Sequence, residues 1–347
     1  MKNDIKNKFQ GCFVGGAIGD ALGYPIEFLD IKSIQKKYGQ KGIKKYKKNM
    51  GTALVSDDTQ MTMFTAAGII DFDISGESEN MYKYIYYNYL NWLTTQGFKN
   101  ECAPVSWLYG VRDLYFRRAP GNTCLSSLRS GKIGTIENPI NDSKGCGGVM
   151  RVAPIGLYFS NKNSKNAIIE AANAAAITHG EPMGYISSGL FAYIIRELTK
   201  TDKSIEAIMK DGIKECYSMF GNVVKEHEDI IKKAISLINN DIKDYENIED
   251  IGGGWTGETA LAIAIYCCLK YKNDFTKAVI AAVNHSGDSD STGAICGNIM
   301  GAIVGLDKVP NTYKNSLELY DEIIILSNDL YNCIYDKEKL NISNYLH

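Results

Sequence analysis

The chain has 347 residues, a formal net charge of −2, a hydrophobic fraction of 45% and a charged fraction of 22%. This is the composition of a folded globular protein with enough apolar side chains for a core without disulfide or metal staples, and it excludes a disordered or fibrous chain. A near-zero net charge also argues against a protein whose main task is gripping nucleic acid, which needs a basic excess or a basic face.

Taken in chain order, the first signal is a set of glycines four apart, Gly11, Gly15, Gly19 and Gly23. On a helix they form a ridge without side chains, along which another backbone can approach closely. This helix carries Asp20 and is followed by Pro25, which breaks it, and by Glu27. Gly42 to Thr52 reads as a loop, and Ser56-Asp57-Asp58-Thr59 opens a helix through Met61, Phe64 and Ala67. Asp71 to Glu79 and Ala119 to Lys144 read as further loops. Apolar residues then recur at three- and four-residue steps over Ala167–Thr178, Tyr185–Leu198, Ile205–Met219 and Ile230–Ile238. After a loop at Asn240 to Gly254, the same period returns over Thr259–Tyr271, Ile295–Val304 and Leu317–Tyr331. A second ridge, Gly293, Gly297, Gly301 and Gly305, follows His285-Ser286-Gly287-Asp288-Ser289-Asp290-Ser291-Thr292. Strand alternation is nearly absent, so the spacing predicts one compact all-α domain over residues 1–347.

Nine cysteines without a Cys-x-x-Cys pair, beside four histidines, do not make a zinc framework; free buried thiols in a reducing compartment are expected. The apolar run Ala294 to Leu306 is too short to span a membrane. The polar opening Met1 to Gln10 lacks the apolar centre of a signal peptide. A cytoplasmic protein with no membrane and no nucleic-acid partner is expected.

The chemistry is carried by acids. Ser, Thr and Asp are ordinary helix N-caps, but one helix needs one cap, and Asp288-x-Asp290-Ser291 has oxygen side chains to spare. If both clusters and Glu27 converge, five carboxylates share a small volume. Two unit charges ~4 Å apart repel by roughly 4 kcal/mol at an effective dielectric near 20. Divalent cations would relieve this, and an all-oxygen ligand set favours Mg²⁺, Mn²⁺ or Ca²⁺ over zinc.

The order of motifs resembles the ADP-ribosylglycohydrolase family, which includes dinitrogenase-reductase-activating glycohydrolases and arginine- and serine-specific ADP-ribosyl hydrolases. The resemblance covers nearly the whole chain. It rests on Gly11 to Gly23 with Glu27, on Ser56-Asp57-Asp58-Thr59, on Gly145 to Pro154, on Thr178-His179 and on Gly287 to Ser291. It implies an all-α fold of orthogonal helices and two Mg²⁺ or Mn²⁺ ions. The metal ligands it implies are Ser56, Asp57, Asp58, Asp288, Asp290 and Ser291, with Glu27, Asp57 and Asp290 in catalysis. Ser143, Gly145, Cys146, Gly147, Gly148 and Val149 would lie along the distal ribose and phosphates, where glycines let backbone N–H groups approach anionic oxygens. His179 would stand near the phosphates and Tyr185 would wall the cleft. Gly-x-x-x-x-Gly-Lys-Ser/Thr does not occur, and the Gly-x-Gly-x-x-Gly spacing at Gly252 to Gly257 follows a predicted loop rather than a strand, so nucleotide-cofactor folds lack support.

One departure stands out. Many arginine-specific members carry a general-base aspartate in an Asp-Ile-Gly-x-Thr loop, and the matching stretch here, Arg118-Ala119-Pro120-Gly121-Asn122-Thr123, has no carboxylate. The expected activity is hydrolysis of ADP-ribose from a protein side chain, arginine foremost, by a monomer acting on an ADP-ribosylated protein. Serine-linked or free O-acyl-ADP-ribose is the alternative substrate, and an inactive ADP-ribose-binding or structural relative the alternative from another class.

Overall fold

Why this chain is helical is visible in its first element. From Gly11 to Gly23 every residue is buried, so this part of the helix is covered on all sides and must lie at the centre of the molecule. The structure is a computed structural model that describes residues 2–76, 80–102, 106–272 and 274–345, with the side chains of residues 2 and 3 left aside. The helices are α1 (Lys2–Gly23), α2 (Ile31–Tyr38), α3 (Asp57–Ile74), α4 (Met81–Thr95), α5 (Asn122–Arg129) and α6 (Ala153–Tyr158). Next come α7 (Ser164–Ala176), α8 (Pro182–Lys200), α9 (Ile205–Phe220), α10 (Lys225–Ser236) and α11 (Asp244–Ile251). The last are α12 (Gly257–Tyr271), α13 (Phe275–Val283), α14 (Ser289–Val304), α15 (Asn311–Lys314) and α16 (Tyr320–Tyr335). Among the described residues the only sheet is a hairpin of Lys48–Asn49 with Thr52–Ala53, Lys48 facing Ala53. The fold is all-α.

The two glycine ridges meet each other. They run antiparallel, Gly11 against Gly301, Gly15 against Gly297 and Gly19 against Gly293, so close that a Cβ added at any of these six would collide with the facing carbonyl oxygen. Beside them Gly16 leaves room for the Asn298 side chain, whose Nδ2 donates to the Cys12 carbonyl at 2.8 Å. Helices α8, α12 and α13 pack on α14, and α16 and α3 on α1. The antiparallel sense matters for function, because the acidic C-terminal end of α1 comes to the acidic N-terminal end of α14.

Several helices fall where the sequence expectation named a loop or named no element. The stretch Met81–Thr95 is α4 although its Tyr-Lys-Tyr-Ile-Tyr-Tyr-Asn run is rich in residues that favour strands; burial of Ile85, Tyr89, Trp92 and Leu93 overrides that preference. Helix α13 also lies outside the expected helices, while α5 and α11 interrupt stretches expected as loops. Of the loop expected over Asp71 to Glu79, α3 covers the start as far as Ile74, and residues 77–79 lie outside the described residues. At the far end α16 starts at Tyr320, because Leu317 pairs with Ala53 instead.

Placing a methyl group on the ridge tests this packing. Gly15→Ala or Gly297→Ala is expected to lose at least about 2 kcal/mol of stability or to leave no folded protein. Gly110→Ala, whose added Cβ meets nothing within 4 Å, should change stability by less than about 0.5 kcal/mol. Equal urea midpoints for the ridge and control variants would overturn the account.

Candidate active site

The site begins with a charge where none belongs. Asp20 is the single charged residue between Gly11 and Gly23 and is fully buried. Its carboxylate accepts the Ser56 N–H at 2.9 and 3.0 Å, the Thr59 N–H at 3.1 Å and the Thr59 hydroxyl. It therefore holds the first turn of α3 against α1. The sequence reading left Asp20 without a role; a lone acid inside an apolar helix was the signal available.

The first turn of α3 is capped by Ser56, whose Oγ accepts the Asp58 N–H at 3.2 Å. One Asp57 oxygen accepts the Gly121 N–H at 3.0 Å, and the Asp57 N–H donates to the Arg118 carbonyl at 3.1 Å. The loop that lacks a carboxylate thus holds Asp57 through its backbone. Asp288 caps α14, accepting the Ser291 N–H at 3.2 Å, and its other oxygen accepts the Cys146 thiol. Asp290 also accepts the Ser291 N–H, at 3.1 Å. Glu27, Asp288 and Asp290 each place a carboxylate oxygen within 4.8 Å of the others, an arrangement that could hold a metal ion.

Charge ties the two helix starts into one cluster. Burial, and then the charges of Asp288, Asp57 and Asp20, push the Glu27 carboxyl up to about 8. Burial first, with Asp20 and Asp288 adding, takes Asp57 up to about 8, and burial alone lifts Asp20 to about 6. Asp58 is pushed well up by burial and by Asp20, Asp57 and Asp288; Asp290 rises in the same way, with Asp58, Asp288 and Glu27 as neighbours. Asp288 is also raised by burial. Two oxygens, Asp58 Oδ1 and Glu27 Oε2, are buried without a hydrogen-bond partner among the described residues. Unpaired buried acceptors and mutually repelling acids are what a hard cation would satisfy, and every candidate ligand is an oxygen. The residues present fit such an ion.

Beside this cluster lies the glycine turn. The Cys146 N–H donates to the Trp255 carbonyl at 3.2 Å, the Gly145 N–H lies 3.4 Å from Ser143 Oγ, and Val149 is fully buried beyond it. The turn rests on His179: a Cβ on Gly147 would stand 2.8 Å from the ring carbon Cε1, and one on Gly145 would stand 3.3 Å from Nε2. Gly148 is packed against Ala175 in the same way. Among the described residues no hydrogen bond takes the Gly147 amide, which is half-buried.

Behind His179 is a fully buried guanidinium, Arg151, which no carboxylate pairs among the described residues. It sits 4.4 Å over the Tyr89 ring and donates to Thr178 Oγ1 at 2.7 Å. Arginine can only donate, so Thr178 accepts there and has its own proton left for His179 Nδ1, 2.8 Å away. Burial, and then the Arg151 charge, lower the His179 pKa to about 3, so the ring is neutral and its proton sits on Nε2, toward the glycine turn.

The aromatic expectation fares differently. Tyr185 is buried with its ring 6.0 Å from Phe220, as part of the core. The rings open to solvent beside the site are Phe28 and Trp255, stacked at 6.0 Å and 22°. Phe28 follows Glu27 directly, and Trp255 carries the carbonyl that holds Cys146. A cleft of about 1010 Å³ lies next door, along Arg118, Glu318 and the hairpin, and does not contain the carboxylates of the cluster.

Residues 1–339 match the ADP-ribosylglycohydrolase family. The chain belongs to that family. As an ADP-ribosylglycohydrolase it is an enzyme, a glycosidase that hydrolyses ADP-ribose linkages. It is 22% identical to the human ADP-ribosylhydrolase ARH3, over 94% of this chain and 93% of that protein. It is 24% identical to the ADP-ribosyl-dinitrogen reductase glycohydrolase of Rhodospirillum rubrum, over 91% and 92%. A solved chain described as an ADP-ribosylglycohydrolase-related protein complex shares the fold, with a TM-score of 0.68 at 20% identity over 95% of this chain and 99% of that one. Among the described residues no helix is long and apolar enough to cross a membrane.

Two measurements follow from this geometry. Carboxyls raised to about 6 and about 8 keep protons in the folded state that the unfolded chain has released above pH ~4. The folded state then binds more protons, and stability falls as pH rises through that window. In EDTA the melting temperature should be lower near pH ~8.5 than near ~6.5, and Mn²⁺ should raise it more at the higher pH. A rise of the same size at both, or none, would remove the cation from this account. Separately, ¹⁵N spectra should show His179 protonated on Nε2 and neutral down to pH ~5, with Thr178→Val letting the Nδ1–H form appear. A wild-type ring protonated on Nδ1 would contradict the hydrogen-bond assignment.

Proposed function

We propose that this enzyme is a divalent-cation-dependent hydrolase that removes ADP-ribose from a protein side chain, arginine foremost. What carries the reading is one juxtaposition: buried, mutually repelling carboxylates with unpartnered oxygens at Asp58 and Glu27, beside a glycine turn backed by a neutral histidine. Ser56, Asp57, Asp58, Asp288, Asp290 and Ser291 would hold two ions of the Mg²⁺ or Mn²⁺ class. When bound, such ions supply charge neutralisation and Lewis acidity toward hydroxyl and water oxygens.

The chain's own groups do the rest. The Gly147 amide and His179 Nε2–H are donors to the phosphate and distal-ribose oxygens, with Ser143, Gly145, Cys146, Gly148 and Val149 shaping the turn around them. Glu27 Oε2 is the atom at which a proton is held or moved as the bond from the ribose anomeric carbon breaks and water adds there. Asp57 is held in place by the loop amide of Gly121, and Asp290 stands beside Glu27. We read residues 1–347 as one domain. We place it in the cytoplasm, in keeping with nine free thiols, as a monomer acting on an ADP-ribosylated protein. Tyr185, packed on Phe220, is given no part in substrate contact.

A second reading keeps this machinery and changes the substrate to serine-linked or free O-acyl-ADP-ribose. The loop at Arg118 to Thr123 favours it, since that loop meets Asp57 with a backbone amide and brings no carboxylate.

Free ADP-ribose released from arginine-, serine- and acyl-linked substrates, with Mn²⁺ and with EDTA, tests both readings. Asp290→Ala is expected to lose at least about 10³-fold in turnover and Glu27→Gln about 10²-fold or more. Full activity in Asp290→Ala, or in EDTA, would discard the cation-dependent mechanism. The substrate turned over fastest decides between the linkages.

A further inference from the structure

The near-zero net charge of the chain hides a local extreme. Between Glu27 and Ser56, which both belong to the site, Ile31 to Leu54 contains eight lysines and no Asp, Glu or Arg. The segment carries +8 and leaves the remainder of the chain at −10. Lys32, Lys36, Lys37, Lys41, Lys44, Lys45, Lys47 and Lys48 are all exposed. Among the described residues none of them makes an ion pair.

The lobe is held firmly and close to the site. Ile34 and Ile43 are buried beneath it. Asn284 accepts the Ile43 N–H at 2.7 Å and donates to its carbonyl at 2.9 Å, and the Tyr313 hydroxyl donates to the Lys44 carbonyl at 2.8 Å. Ser286, two residues before Asp288, accepts the Ile31 N–H at 2.9 Å. At its base is a cleft of about 590 Å³ along Gln40, Lys41, Lys44, Lys243 and Lys277. Asp244, the acid lining that cleft, is engaged by Lys270 and two tyrosine hydroxyls, and Lys277 is paired with Asp274, which leaves Lys41, Lys44 and Lys243 as its open cations among the described residues.

We infer that this lobe docks an acidic protein surface and steers the modified macromolecule so that its ADP-ribose enters the site. Eight unpaired ammonium groups on a rigid support make a field that attracts carboxylates over a Debye length at no ordering cost. Nucleic acid fits less well. The lobe has no arginine for bidentate phosphate or base contacts, and its tyrosines are taken, Tyr38 under Lys37 and Tyr46 edge-on to Tyr313. The inference rests on the proposed hydrolysis of a protein-linked ADP-ribose.

The test uses peptides with one ADP-ribosylated centre, flanked by glutamates or by Gly-Ser, together with free ADP-ribosyl-arginine. At about 20 mM salt the glutamate-flanked peptide should show kcat/KM about tenfold above the Gly-Ser one, and the advantage should vanish near 500 mM. It should vanish too in Lys36→Glu/Lys37→Glu/Lys41→Glu/Lys44→Glu, which should hydrolyse free ADP-ribosyl-arginine as the wild type does. A quadruple Lys→Gln variant with an unchanged melting temperature should lose most of the preference, separating charge from folding. Equal kcat/KM for the two peptides overturns the inference, as does tighter binding of a single-stranded DNA 20-mer than of the glutamate peptide. If no substrate is hydrolysed, the proposed activity falls instead, and fluorescence anisotropy of labelled decaglutamate, expected to bind wild type and not the variant, still judges the lobe.

Discussion

Everything in this molecule depends on two helices touching backbone to backbone. Glycine destabilises a helix interior by about 1 kcal/mol relative to alanine, and α1 and α14 each contain a row of it. The cost is offset because no other residue permits the approach, and the approach sets the register. Gly19 opposite Gly293 and Gly23 opposite Ser289 leave the exit of α1 beside the entry of α14. Asp20 then fastens α3 to the same point, so three helix ends converge with their acids facing inward.

That convergence is unfavourable for the protein alone. Buried carboxyls raise one another's pKa values, and the oxygens left without partners add to the strain on the folded state. The fold tolerates this because the carboxylates sit on rigid elements with a large apolar core behind them. The partial positive charge at the starts of α3 and α14 also favours anions there. The neighbouring half of the site is arranged with the opposite sign: an unpaired arginine behind a neutral histidine and a glycine turn suits an anionic ligand. Acids at one end and donors at the other match a molecule with hydroxyls at one end and phosphates at its middle.

Much of this was legible in the residues. Four-residue glycine spacing identified the central helices, and oxygen side chains in excess of capping needs identified the acidic cluster before any geometry was known. The backbone's part was not legible. Gly121 and Arg118 hold Asp57 with main-chain groups, which leave no mark on the side-chain pattern. Asp20 was visible as a lone charge in an apolar helix, but its partners lie 36 and 39 residues away. The aromatic surroundings were not legible for a related reason: periodicity sets Tyr185 on a helix, and only packing shows that it lies on Phe220 while Trp255, in the loop before α12, is open. Net charge was silent on one feature, since a sum over the chain conceals a lysine lobe balanced by acids elsewhere.

The pairing of α1 with α14 also governs how the protein is made. Cys12 and Asn298, which bond across the two helices, are 286 residues apart. At about 5–20 residues per second, a ribosome needs roughly 15–60 s to deliver the second after the first. For that interval the glycine face of α1 has emerged without the helix that covers it, and no shorter nascent fragment can complete the centre. Synthesis therefore passes through a long window of vulnerability to aggregation, in which a holding chaperone is the natural safeguard.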